Sequence, residues 1–266
     1  MSGIRLDHAL VERGLCETRS KAKAVIMAGD VLVNGQKETR AGRQIAEKDE
    51  ISLKEKPRFV SRGGEKMDGA LNAFGIDVTG MVAADFGSST GGFTDCLLQR
   101  SAEKVYAVDV GYGILDERMR THPRVVSMER TNARHVESLP EPIDIVVMDV
   151  SFISLNLMFP AVMRVLKPGG ICVPLIKPQF EAGPENIGKR GVVRDHAVHE
   201  MVLRNVLGYA QNHGLTPLGL VASSLKGPNG NIEFLAHLSS EDVHTVSSSD
   251  EMVGRVMETI TGDSTS

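Results

Sequence analysis

Tryptophan is missing from this sequence of 266 residues, and aromatic residues make up only 4% of it. Recognition that relies on aromatic stacking platforms is therefore poorly supplied. There are three cysteines, Cys16, Cys96 and Cys172, far apart and without a CxxC pair. This disfavours a disulfide framework and a cysteine zinc site. Eight histidines show no metal-ligand spacing beyond His196 and His199, which fall short of a zinc set, so no metal is expected. No apolar run approaches the roughly 18 residues that a membrane helix needs, and MSGIRLDHALVERG lacks the apolar core of a secretory signal. The expectation is a cytoplasmic protein with no membrane partner. A content of 41% hydrophobic and 24% charged residues excludes collagenous and disordered chains.

The formal net charge of −4 conceals an asymmetry, since residues 1–60 carry a net +3 and the remainder −7. A basic head on an acidic body suits contact with a polyanion. In that head, Leu6, Ala9 and Leu10 recur at helical spacing before Gly14. Thr18 or Ser20 can cap a second helix that ends at Gly29. Val31-Leu32-Val33 runs into Asn34-Gly35, a tight-turn signal, and another strand is expected around DEISL. After the charged, Pro-containing stretch Lys54–Arg58 the pattern changes. MVAADFG, KVYAVDVG, RVVSME, IDIVVMDVS and GGICVPLIK are apolar runs ending in charged residues, with helical stretches between them. This is the pattern of a parallel sheet covered on both faces, with function at the carboxyl ends of its strands. The expected division is a small α+β domain over 1–55, a linker over 56–62, an α/β domain over 63–240, and a C-terminal helix and tail over 241–266.

The sharpest local signal is Asp85-Phe86-Gly87-Ser88-Ser89-Thr90-Gly91-Gly92. Glycines directly after a strand let the backbone turn tightly and approach a ligand. The segment is neither G-x-G-x-x-G nor a P-loop. Asp109 ends the next strand, where a carboxylate can take two ribose hydroxyls. The combination favours an adenosyl ligand without a pyrophosphate, namely S-adenosylmethionine. Four further residues stand where the sheet's carboxyl edge is expected: Lys66 in SRGGEKM, Asp149 after IDIVVM, Lys177 after GGICVPLI, and Glu233 in the late strand NIEFLAHL. Each alone reads as a surface ion-pair partner. Two lysines and two carboxylates at one mouth read as chemistry, because a lysine after a buried apolar strand is costly unless paired or functional.

The head resembles the small αL RNA-binding domain of a small-subunit ribosomal protein and of pseudouridine synthases. That resemblance implies a basic face of Arg5, Arg19, Lys21 and Lys23, with Lys37, docking on RNA phosphates. SRGGEK, DFGSSTGGFTD, VDVGYGIL, ERTNAR, DVSFISL, LIKPQFE and GPNGNIEF, in this order, resemble the TlyA, or hemolysin A-type, ribosomal RNA 2′-O-methyltransferases of the FtsJ-like class. The match spans residues 4–238 and is loose only around Lys66 and at Ile114. It implies a Rossmann-like methyltransferase sheet behind the RNA-binding domain. It also implies transfer of a methyl group from S-adenosylmethionine to a ribose 2′-hydroxyl of ribosomal RNA, at cytidine. The family's Lys-Asp-Lys-Glu tetrad carries onto Lys66, Asp149, Lys177 and Glu233. Asp85, Gly87, Ser88, Gly91, Gly92, Asp109 and Asn132 fall to the cofactor. A 2′-hydroxyl is a poor nucleophile, and a positioned amine, the role given to Lys177, accepts its proton. Asp149 and Glu233 would orient that amine, and Lys66 the hydroxyl or a nearby phosphate. A noncatalytic ribosome-assembly factor and a pore-forming hemolysin remain as alternatives, and the modified nucleotide, the subunit and the oligomeric state stay open.

Overall fold

In the computed structural model, which describes residues 3–54, 57–241 and 247–262, the chain divides between Pro57 and Arg58 into two units. Glu55 of the expected first domain, Lys56 of the expected linker, and parts of the expected tail lie outside the described residues.

The first unit runs β1 (Ile4–Arg5), α1 (Leu6–Glu12), α2 (Arg19–Ala28), β2 (Val31–Val33), β3 (Gln36–Glu38), β4 (Gln44–Ile45) and β5 (Ile51–Leu53). Thr18 caps α2 by accepting a hydrogen bond from the Lys21 backbone nitrogen, and Gly29, at φ +76°, closes it. Asn34 and Gly35 both take positive φ in the turn that folds β3 back on β2, and β5 pairs with the other edge of β2. Leu6, Ala9 and Leu10 of α1 and Ala22 and Ile26 of α2 are buried together with Val31, Val33 and Ile45.

The second unit contains α3 (Gly63–Phe74), β6 (Val82–Phe86), α4 (Gly92–Gln99), β7 (Lys104–Val108), α5 (Glu117–Arg120), β8 (Val125–Met128), β9 (Ile143–Met148), α6 (Phe159–Val165) and β10 (Leu166–Ile176). After these come α7 (Pro178–Glu181), α8 (His196–Asn212), β11 (Thr216–Ala222), β12 (Phe234–Ser239) and α9 (Ser249–Gly262). Seven strands form one sheet in the order β11-β12-β10-β9-β6-β7-β8. The run from β10 to β8 is parallel, whereas β12 is antiparallel to both of its neighbours. Both faces of the centre are covered, as the continuous apolar runs require. Val146 and Met148 of β9 enter one core with Val162 of α6, Val202 of α8 and Val253 of α9. Ile145 and Val147 enter the other with Leu71 of α3 and Leu97 of α4.

Two features depart from the sequence reading. TPLGLVA forms an edge strand, β11, although Gly219 interrupts its apolar character; a Cβ there would stand 3.0 Å from the ring of Phe74. Glu233 lies one residue ahead of β12 and not inside a strand. The reversal of β12 nonetheless brings that residue to the edge where the parallel strands end, since Phe234 pairs with Ile176 at the close of β10.

Candidate active site

The turn after β6 is built around Asp85, which is fully buried. Its Oδ2 accepts hydrogen bonds from the Thr94 backbone nitrogen (3.0 Å) and the Thr94 hydroxyl (2.7 Å), closing the Gly87–Gly92 loop against the start of α4. Its Oδ1 is buried and, among the described residues, has no hydrogen-bond partner. Burial pushes the carboxyl up to about 7 against the Thr94 hydrogen bonds, and the charges of Asp149 and Asp109 push the same way. Gly87 has φ +83°, and a Cβ on it would stand 3.0 Å from the Asp149 carbonyl oxygen, so only glycine keeps this backbone open.

Asp109, directly after β7, is held by two backbone donors, Ser89 N to Oδ2 (2.8 Å) and Gly111 N to Oδ1 (2.7 Å). Beside it lies a cavity of about 400 Å³ lined by Gly87, Ser89, Asp109, Asn132, Asp149 and Phe152, among others. The cavity sits where strand order reverses about β6, the place where open α/β sheets bind ligands. Asn132 caps a short helical turn by accepting from the Arg134 backbone nitrogen and lines the same cavity. Asp85, Ser88, Gly91 and Gly92 shape the loop without lining the cavity. The size of this space, its apolar wall of Val108, Ala133 and Met158, the open backbone at Gly87 and the fixed acid at Asp109 fit an adenosyl ligand.

At the adjoining edge, four side chains make two ion pairs. Lys66 Nζ, from α3, lies 2.5 Å from Glu233 Oε2, with both side chains almost wholly buried. Lys177 Nζ, directly after β10, lies 2.6 Å from Asp149 Oδ1, directly after β9. All four of the expected residues thus come together. Gly227 makes room for Glu233, since a Cβ there would stand 2.0 Å from Oε1. Burial raises the Asp149 carboxyl above the usual carboxylate range. Lys177 and Lys66 oppose that rise, and Glu233 adds to it. Buried charges persist only when paired in this way, and removing one partner strands the other.

Sequence reasoning missed the groups that hold this arrangement. Lys177 Nζ donates to Ser151 Oγ (2.8 Å), Gln179 Nε2 reaches Glu233 Oε1 (3.4 Å), and Glu181 accepts from Ser154 Oγ (2.7 Å) and Leu155 N (2.8 Å). Glu181 thereby ties α7 to the loop after β9. Polar residues immediately beyond two buried strands were the available signal. Phe152, 89% exposed and at φ +62°, packs against Phe180 with ring centroids 4.8 Å apart.

In the first unit, Arg5 and Arg19 converge on a buried Asp7, at 3.0 and 3.1 Å. Burial would raise that carboxyl, but the hydrogen bonds and charges of Arg5 and Arg19 prevail and hold it down to about 2. Both guanidinium side chains remain about half exposed. Lys21 pairs with Glu17, and Lys23 is exposed.

A seven-stranded sheet of this order, with its reversed strand and its ligand crevice at the switch point, defines the Rossmann-like methyltransferase class. The chain belongs to the FtsJ-like methyltransferase family, whose profile matches residues 59–240, and an S4 domain matches residues 4–51. A Bacillus subtilis (strain 168) chain named for an rRNA methyltransferase, YqxC, is 48% identical over 88% of this chain and 85% of its own. The 16S/23S rRNA (cytidine-2′-O)-methyltransferase TlyA of Mycobacterium tuberculosis is 41% identical over 89% of this chain and 90% of its own. A solved structure from Streptococcus thermophilus, named for a hemolysin, matches with a TM-score of 0.74 and 43% identity, covering 100% of both chains. Among the described residues no helix is long and apolar enough to cross a membrane.

Proposed function

We propose that this protein transfers a methyl group from S-adenosylmethionine to a ribose 2′-hydroxyl of ribosomal RNA, at cytidine, in the cytoplasm. The observation that carries this reading is the two lysine–carboxylate bridges beside the glycine-lined cavity, one buried and one partly open at Asp149. When bound, S-adenosylmethionine supplies a methyl group on an electron-poor sulfonium. Asp109 takes the ligand's ribose hydroxyls, Asn132 offers an amide on the cavity wall, and Gly87 leaves the backbone open to approach. Asp85, Ser88, Gly91 and Gly92 support that wall from behind.

Lys66, Asp149, Lys177 and Glu233 form the catalytic group. Lys177, once its ammonium has given up a proton to solvent, accepts the 2′-proton at Nζ as the O–H bond breaks and an N–H bond forms. Asp149 and Ser151 fix the direction of that amine. Glu233 holds Lys66, whose ammonium faces the hydroxyl or the phosphate next to it. Residues 1–55 dock the RNA through Arg5, Arg19, Lys21 and Lys23, with Asp7 fixing the two arginines.

The test is to map 2′-O-methyl positions in ribosomes from cells with and without the protein, and to repeat the transfer on subunits with purified protein. The expected result is a cytidine whose methylation disappears with the protein and returns on its addition. An unchanged map together with no transfer in vitro would overturn the reading.

A further inference from the structure

Between α7 and α8 the chain carries Lys189, Arg190 and Arg194 around one open cavity of about 570 Å³, which Asn186 and Val192 also line. All three cations are exposed, and among the described residues none has a carboxylate within ion-pairing distance. Six of the other eleven arginines of this unit pair with carboxylates: Arg58 and Arg100 with Asp68, Arg118 with Asp116, Arg120 with Glu117, Arg164 with Glu137 and Arg204 with Glu200. Asp195, the one acid lining the cavity, caps α8 by accepting from the Ala197 backbone nitrogen. Three uncommitted cations in the acidic part of the chain call for an anionic partner.

The loop that bears them is fixed. Arg190 is held at φ +65°, a region that costs a non-glycine residue energy. Its carbonyl accepts from Asn229 Nδ2 (3.0 Å). Asn231, 2% exposed, donates from Nδ2 to the Gly191 carbonyl (2.9 Å) and accepts at Oδ1 from the Val193 nitrogen (3.0 Å). Asn231 lies two residues ahead of Glu233, so the staple is at most about 7 Å of chain from a member of the charged quartet. The cations are thereby held in register with that group.

We infer that Lys189, Arg190 and Arg194 form a phosphate clamp for the RNA strand that carries the target ribose, with Asn229 and Asn231 as its positioning residues. This rests on the proposed activity and adds a second RNA contact, on the methyltransferase unit itself. A ribose presented to Lys177 brings a phosphate on either side. A loop stapled beside Glu233 meets such a strand with point charges, which read backbone and not base identity.

The experiment compares the full-length protein with the triple variant K189Q/R190Q/R194Q and with K189Q and R194Q singly. The measurements are the KM and kcat for methyl transfer to naked rRNA transcript and to whole subunits, the salt dependence of transcript binding, and S-adenosylmethionine affinity. The expected result for the triple variant is a KM for RNA raised about tenfold or more, with kcat and S-adenosylmethionine affinity nearly unchanged. The salt slope should shrink by about 2, and each single variant should take a share. Equal KM and salt slope in the active wild type and all variants would overturn the clamp while leaving the proposed activity intact. A loss on whole subunits with none on transcript would overturn it in favour of an acidic ribosomal-protein partner. Absence of transfer by the wild type would instead count against the activity itself.

Discussion

Lys177 donates to Ser151 and pairs with Asp149, so its nitrogen is aimed from two sides before any substrate arrives. Lys177→Arg keeps a positive charge at this position but cannot give up a proton at usable pH. Single-turnover methylation of saturating rRNA is expected to fall by at least about a hundredfold in this variant, with S-adenosylmethionine affinity retained. Substantial activity in Lys177→Arg would make the residue a charge clamp. Asp109→Ala removes an acid that also ties Ser89 to Gly111, and should weaken S-adenosylmethionine binding by about 1.5 to 3 kcal/mol in titration calorimetry. Undiminished heat would remove Asp109 from the ligand site. For Asp85 the folded carboxyl titrates at about 7, above the unfolded value near 4, so between those pH values the folded chain keeps a proton that the unfolded chain has lost. The stability it confers is complete below about pH 4 and is lost as pH rises through about 7. Asp85→Asn should flatten that decline, and urea unfolding near pH 5 and near pH 8 should show the difference, on the order of a few kcal/mol. Parallel pH profiles for the two proteins would contradict it.

At the level of elements, the first unit buries its own core, so its removal is a clean test of docking. Deleting residues 1–55 should abolish methylation of ribosomal subunits while leaving S-adenosylmethionine affinity close to that of the full chain. A truncated protein that methylates at the full rate would remove the docking role. The ease with which elements can be read from sequence follows how local their causes are. The turn over Asp85–Gly92 is legible because strand, glycines and helix start are adjacent in the chain, and α2 because Thr18 and Gly29 bracket it. β9 and β10 announce themselves as apolar runs ending in Asp149 and Lys177. β11 does not, because Gly219 and a half-exposed surface blur its pattern. Glu233 reads from the sequence as part of the strand NIEFLAHL, but its actual place just ahead of that strand depends on the antiparallel direction of β12, which no window around residue 233 encodes. The Ser151, Gln179 and Glu181 contacts join segments 26 to 54 residues apart, and only the fold reveals them.

For the whole molecule, the reversed strand governs timing. β11 touches the sheet only through β12, and β12 fills the place beside β10 that would otherwise be an open edge. Lys66, Asp149 and Lys177 are all made before residue 178, yet Glu233, the partner of Lys66, arrives with the last strand. During synthesis the growing chain passes through a stage with two lysines and one carboxylate at the sheet edge. Nascent chains arrested before β12 should therefore lack methyl transfer, and those extended past α9 and released should show it. Transfer by chains ending before residue 225 would refute this. On this reading, a protein proposed to modify ribosomes would stay idle on the ribosome that makes it until its last strand has joined the sheet.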